Sequence, residues 1–97
     1  MLFDYLLKNA TVYDGIGSKP SEADLGIRGD RIAQPGDLKG TEAKEIIDCT
    51  GLIVCPGFID PHSHSDYFLF LNPLALSKVH QGVTTEIGGN CGYSAAP

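Results

Sequence analysis

Residues 56–64, Pro56-Gly57-Phe58-Ile59-Asp60-Pro61-His62-Ser63-His64, run from a turn through a short apolar segment into a polar cluster. That is the texture of a buried parallel strand whose carboxyl end carries chemistry. His62 and His64 lie two apart at the end of that strand. A strand's period of two sets both imidazoles on one face, within ligand distance of a shared ion. By spacing alone the pair fits equally well two surface histidines in a Pro-Ser loop. Their place at a strand's carboxyl end, where parallel-barrel enzymes set catalytic groups, favours the metal.

Working toward the C-terminus, Asn72-Pro73 is a helix start, Leu74, Leu76 and Val79 give that helix an apolar side, and Gly82 ends it. Val83-Thr84-Thr85-Glu86-Ile87 is β-branched enough to form the next strand, which completes one strand-helix-strand unit. Just past it, Cys91 sits in Gly88-Gly89-Asn90-Cys91-Gly92, where glycines permit a sharp turn and close approach of the backbone to an ion. A thiolate there suits zinc, and the plainer alternative is a small buried hydrophobe. Asp60 either orients an imidazole or caps the strand end. Asp66 reads more simply as a solvated loop carboxylate than as a group facing metal or substrate. His80 falls in the helix's last turn, near exposed carbonyls.

Working toward the N-terminus, the pattern is different. Phe3, Tyr5 and Leu7, then Val12, flank Lys8-Asn9-Ala10, which predicts two short strands joined by a tight turn around Asn9. Ala23, Leu25 and Ile27 alternate with polar or small residues as a half-buried strand does, and Gly29-Asp30 turns the chain. Arg31 to Gln34 pairs back, with Pro35 stopping the ladder or holding it at an edge. Asp37 to Lys44 reads as polar connector, and Ile46 to Cys49 and Leu52 to Val54 as two β segments split by Thr50-Gly51. All of this suggests antiparallel hairpins, with Cys49 and Cys55 as small buried hydrophobes.

The expected fold class is therefore mainly β, with residues 1–55 in antiparallel strands and residues 56–97 beginning an α/β pattern. At 97 residues and 10.3 kDa the chain has room for at most one small complete domain. A lone strand-helix-strand unit leaves its parallel strands with uncovered faces, so a longer enzyme is expected of which this is an N-terminal fragment. The net charge of -5 and the scatter of only seven Lys and Arg exclude a phosphate-backbone partner, hence no nucleic acid. No apolar run reaches bilayer length, so no membrane span is expected. Neither a secretory signal nor paired cysteine spacing is evident, and an odd cysteine count suits a reducing compartment, which makes the cytoplasm the expected location.

The segment PGFIDPHSH at 56–64 resembles the first-strand signature of the amidohydrolase superfamily, and QGVTTEIGGNCGYSAAP at 81–97 resembles the second-strand segment of its D-aminoacylase branch, which includes N-acyl-D-amino-acid deacylases. The likeness spans nearly the whole chain, strongly from Cys55 onward. It departs at Asn9-Ala10, where an Asn-Gly turn is usual, and at Gln34-Pro35, where a strand normally continues.

The resemblance implies a TIM (β/α)8 barrel, of which a complete example takes about 250 residues, and a small composite β-sandwich domain. It implies zinc, one or two ions, held by His62, His64 and Cys91, with the cysteine replacing the bridging carbamylated lysine of many relatives. It also implies amide hydrolysis of a small-molecule N-acyl-D-amino-acid substrate by metal-activated water. Further histidines and a general-acid aspartate are expected downstream of residue 97, so this chain alone is expected to be inactive. Exposed sheet edges predict self-association. Two alternatives stand beside this reading. One is a cyclic-amide hydrolase of dihydroorotase or hydantoinase type, in which Cys91 has no assigned role. The other is a small non-catalytic β-rich binding module, which requires Val83–Ile87 to join the N-terminal sheet.

Overall fold

The computed structural model describes residues 2–95, and of Gln34 only the backbone. Ala96 and Pro97, which close the 81–97 segment, lie outside the described residues. The chain divides into two compact units, Met1–Pro56 and Gly57–Pro97.

The first unit is a five-stranded sheet built around β1 (Phe3–Val12). On one side β1 pairs antiparallel with β2 (Ser21–Arg28), and β2 in turn pairs antiparallel with β3 (Arg31–Gly36). On its other side β1 pairs parallel with β4 (Ala43–Asp48) and then with β5 (Ile53–Val54). Two hairpin expectations are thereby corrected. The pairings of β4 and β5 are parallel, because the connector that precedes β4 carries the chain back to the start of β1. Phe3 to Val12 is also one continuous strand, not two joined at Asn9. Leu7 pairs with Leu25 and Ala10 with Ala23, so Lys8 and Asn9 together oppose Asp24 in a bulge. Asn9 takes the positive φ of 59° that this bulge requires, a conformation asparagine tolerates better than most residues.

Asp24 makes the bulge possible. It is buried, and its Oδ1 accepts the Asn9 backbone N–H at 2.9 Å while Oδ2 accepts the Leu38 N–H at 3.1 Å. Leu38 itself is buried with Phe3 and Leu6 in the small core, against which Ala43 packs. Residues 37–44 are thus not a purely polar connector, since one of them anchors the core and two begin β4. Pro35 stays within β3, which lies at the sheet edge, where proline is tolerated. Cys49 is buried as expected, whereas Cys55 is exposed. The chain leaves the sheet at Val54, and nothing covers the cysteine beyond it among the described residues.

In the second unit β6 (Phe58–Asp60) and β7 (Val83–Glu86) form a two-stranded parallel sheet. Gly57 enters β6 beneath the Thr84 side chain, which occupies the space a Cβ would need. Between the strands lie two short helices, α1 (Phe68–Leu71) and α2 (Leu76–Val79), where one helix starting at Asn72-Pro73 was expected. The Asn72-Pro73 pair separates them, and Ala75 at φ 47° precedes α2 in a left-handed conformation. A proline disfavours helix in the residue before it, which accounts for the break. Gly82 follows α2 at φ 81°, and His80 is its C-cap. β7 pairs with β6 and not with the first unit's sheet, so the module reading loses the strand pairing it needs. No helix residue is buried, and among the described residues there is no closed barrel. Among the described residues no helix is long and apolar enough to cross a membrane.

Candidate metal centre

The carboxyl ends of β6 and β7 each release a loop, 61–67 and 87–94, and parallel pairing brings the two loops side by side. The Ser63 N–H donates to the Ile87 carbonyl at 3.2 Å, and the Ile87 N–H donates to the Asp60 carbonyl at 2.9 Å. Asn90 spans the pair, its Nδ2 donating to Ile87 O at 2.6 Å and to Ser63 O at 3.2 Å. Tyr67 Oη donates to the Ser94 carbonyl at 2.9 Å. His62, His64 and Cys91, singled out from the sequence, meet in this setting, with ligand atoms that all lie within 4.8 Å of one another. Cys91 Sγ and His62 Nε2 are 3.5 Å apart. The two imidazoles stand edge to face at 5.2 Å, and the Tyr93 ring lies edge to face with His64 at 5.6 Å. All three candidate ligands are exposed.

Cys91 has φ 57°, a region that costs an L-residue about 1–2 kcal/mol. Glycines at positive φ stand on either side of it, Gly89 at 73° and Gly92 at 76°. Such strain persists where surrounding contacts over-determine it, and it concentrates at functional positions. Cys91 is also exposed, where the plainer alternative expects a small buried hydrophobe.

Beneath the histidines lies a charged network that the sequence reading missed. Parallel register sets Asp60 beside Glu86, a like-charge pair that is unfavourable alone. Lys78, from α2, bridges them, with Nζ at 2.6 Å from Asp60 Oδ2 and 3.2 Å from Glu86 Oε1. Glu86 Oε1 also accepts the Ser63 hydroxyl at 2.8 Å and the Ser65 hydroxyl at 3.0 Å. Asp60 Oδ1 accepts the His62 backbone N–H at 3.1 Å, which fixes the first histidine of the loop. Asp60 thus caps its strand end and acts on the His62 backbone, not on an imidazole.

These bonds favour the charged forms. The Lys78 ammonium and then the His62 N–H hold the Asp60 carboxyl below its ordinary value. The Ser63 hydroxyl, followed by Ser65 and Lys78, does the same for Glu86. Lys78 is held above the ordinary lysine value, chiefly by Asp60 and then by Glu86. No local sequence pattern announces this network, which depends on the pairing register that makes Asp60 and Glu86 neighbours.

Asp66 corrects a second expectation, because it is not a solvated loop carboxylate. It is half-buried, its Oδ2 accepts the Gly89 N–H at 2.8 Å, and its Oδ1 is shielded from solvent without a hydrogen bond among the described residues.

Residues 45–97 match the Amidohydrolase family. The chain belongs to that family. It is 50% identical over 95 residues to the D-aminoacylase of Alcaligenes xylosoxydans xylosoxydans, a match covering 98% of this chain and 20% of that protein. A crystal structure of D-aminoacylase matches it with a TM-score of 0.91 at 49% identity, covering 98% of this chain and 20% of the other. The N-acyl-D-glutamate deacylase of Bordetella bronchiseptica, solved with zinc and a phosphonate mimic of the reaction's tetrahedral intermediate, matches with a TM-score of 0.92 at 42% identity. That match covers 100% of this chain and 20% of that one. This amidohydrolase chain therefore spans about a fifth of the length of the relatives it matches.

The donor set fits zinc. Two imidazole nitrogens and one sulfur are borderline-soft ligands of the kind zinc prefers over magnesium or calcium, which take oxygen. The donor atoms lie within 4.8 Å of one another, and because two ligands at bonds of about 2.0–2.3 Å from one ion stand at most about 4.6 Å apart, sharing one ion draws the widest pair slightly closer.

Proposed function

We propose that this chain carries part of the metal centre of a zinc-dependent amidohydrolase that cleaves the amide bond of N-acyl-D-amino acids. The observation that carries the reading is the convergence of His62, His64 and Cys91, from two neighbouring strand ends, on one small volume. Its support as to substrate is the likeness to D-aminoacylase and to the zinc-bound deacylase.

In this reading His62 and His64 supply neutral imidazole nitrogens and Cys91 supplies a thiolate to one or two zinc ions. Bound zinc would polarise the amide carbonyl and lower the pKa of water toward neutrality. The chain's own contribution is positional. Asp60 and the Lys78–Glu86 pair hold the backbone on which the histidines sit, and Asn90 holds the backbone before Cys91. Protonation of the leaving amine requires a general acid. We assign that role, and the remaining ligands, to the portion of the relatives' length that this chain does not span, so the chain alone is inactive.

The exposed apolar side chains Phe58, Ile59, Phe70, Leu71 and Leu74 support burial against further structure, and the isolated chain is expected to self-associate through them and its sheet edges. The odd cysteine count supports a reducing, cytoplasmic setting.

The test is hydrolysis by the full-length protein of N-acetyl-D-amino acids against their L-enantiomers. The reading expects D-selective release of amino acid, loss on chelation, restoration by zinc, and a fall of at least about 100-fold for His62→Ala. Hydrolysis that survives exhaustive chelation, or that is confined to cyclic amides, contradicts it.

A further inference from the structure

We infer that Asp66 is a positioning residue of this metal centre, its carboxylate holding the Cys91 loop against the loop that carries His62 and His64. The inference rests on the metal reading above and adds to it a residue that touches none of the three ligands' donor atoms.

The three donors come from two separate loops, so their convergence depends on what ties those loops together. Asp66 lies two residues beyond His64, and the Gly89 N–H it accepts at 2.8 Å lies two residues before Cys91. The tie therefore joins the inner ends of both ligand segments. Its fit is close, since a Cβ placed on Gly88 would lie 2.5 Å from Asp66 Oδ2, 3.1 Å from Cγ and 3.2 Å from Oδ1. Gly88 is needed here for space, not for a left-handed backbone, because its φ is not positive whereas that of Gly89 is 73°.

The segment being held does not hold itself. Gly89, Cys91 and Gly92 all have positive φ, and no side chain caps the single 3-10 turn Asn90–Gly92. Asn90 secures this turn to Ile87 and Ser63, and Asp66 secures the residue before it. The state of Asp66 Oδ1 points the same way. A buried acceptor without a hydrogen bond is unfavourable, and a carboxylate free to rotate would turn that oxygen to solvent. The bond from the Gly89 N–H is the hydrogen bond seen to hold the carboxylate against that tendency.

Release of this tie lets the Cys91 loop relax from its strained conformation and draws the sulfur away from the imidazoles, with little effect on the strands. Loss of such an outer hydrogen bond typically lowers metal affinity by about 10- to 100-fold.

The experiment uses the full-length apoprotein, titrated with zinc against a chromophoric chelator and with cobalt(II), whose thiolate-to-metal charge-transfer absorption reports sulfur ligation. Asp66→Ala is expected to weaken zinc binding by about 10- to 100-fold and to diminish the cobalt-thiolate band. Asp66→Asn, which keeps an acceptor for the Gly89 N–H, is expected to recover most of both. Gly88→Ala attacks the same contact from the other side, displacing the carboxylate, and is expected to reproduce the loss. The Asp66→Ala, Gly88→Ala double variant should bind no worse than either single one. Gly88→Ala also keeps the inference testable if Asp66→Ala fails to fold.

Zinc affinity within twofold of wild type and an undiminished cobalt band in Asp66→Ala or Gly88→Ala overturn the assignment. So does an Asp66→Asn variant as weak as Asp66→Ala. A wild-type protein that takes up neither metal overturns the metal reading itself, and this assignment with it.

Discussion

Replacing Asp24 by alanine removes two hydrogen bonds at once from the first unit, and the cost follows from the geometry. Asp24 Oδ1 and Oδ2 accept the backbone N–H groups of Asn9, in the β1 bulge, and Leu38, in the core-anchoring connector. A hydrogen bond to a charged group contributes about 1.5–3 kcal/mol, so the pair contributes roughly 3–6 kcal/mol to holding those two segments closed. At about 1.4 kcal/mol per tenfold, opening should become roughly 100- to 10,000-fold more frequent.

Amide hydrogen exchange measures this locally and avoids assuming two-state unfolding of a large protein. Under conditions where exchange follows the opening equilibrium, protection at Asn9 and Leu38 should fall by that factor in Asp24→Ala. Asp24→Asn keeps one acceptor and turns an NH2 toward the other donor, so it should lose protection at both amides, though less than alanine. The β6 and β7 amides should be unaffected. Protection at Asn9 and Leu38 within threefold of wild type would refute the reasoning, because those amides would then have another source of closure.

Two further outcomes follow from the same unit. Gly26→Ala would set a Cβ 2.5–2.7 Å from three atoms of the Phe3 ring, an overpacking that typically costs about 1–3 kcal/mol. Chemical denaturation should register that loss, and Phe3→Leu in the same chain should recover part of it. The Lys44 ammonium, then the Gly29 N–H, hold the Asp4 carboxyl below its ordinary value, while Asp4 holds Lys44 above its own. The Asp4 contribution to stability is thus complete above the ordinary carboxylate value and lost as pH falls through the lower folded one. That of Lys44 is complete below the ordinary lysine value and lost as pH rises through the higher folded one. NMR titration of the Asp4 carboxyl should show the depression, and Lys44→Met should move it upward; an unchanged midpoint would contradict the pairing.

The candidate metal ligands were legible because their signal is local. A two-residue histidine spacing at a strand end and a cysteine among glycines after the next strand each carry meaning without tertiary context, and Phe58–Asp60 and Val83–Glu86 form the strands their composition implies. What escaped notice depends on pairing. Asp60, Lys78 and Glu86 become one network only because parallel register sets β6 beside β7 and α2 reaches back across both.

Asp66 looked like any loop acid because its partner is a backbone amide 23 residues away, which no side-chain pattern announces. In the first unit Asn9 has the residue type of a turn and the φ of one, yet β1 runs straight past it. A bulge uses the same left-handed conformation as a hairpin turn, and here the buried Asp24 opposite accepts the Asn9 N–H within the bulge. The parallel pairing of β4 with β1 was hidden for a related reason. Alternation fixes which face a residue takes but not the direction of its neighbour.

X-ray absorption at the zinc edge of the full-length protein tests the shared site most directly. The account predicts a sulfur shell at about 2.3 Å beside nitrogen at about 2.0 Å, with the sulfur shell abolished by Cys91→Ala and the nitrogen shell reduced in the His62→Ala, His64→Ala double variant. A bound zinc without sulfur, and a spectrum that these substitutions leave unchanged, would contradict it.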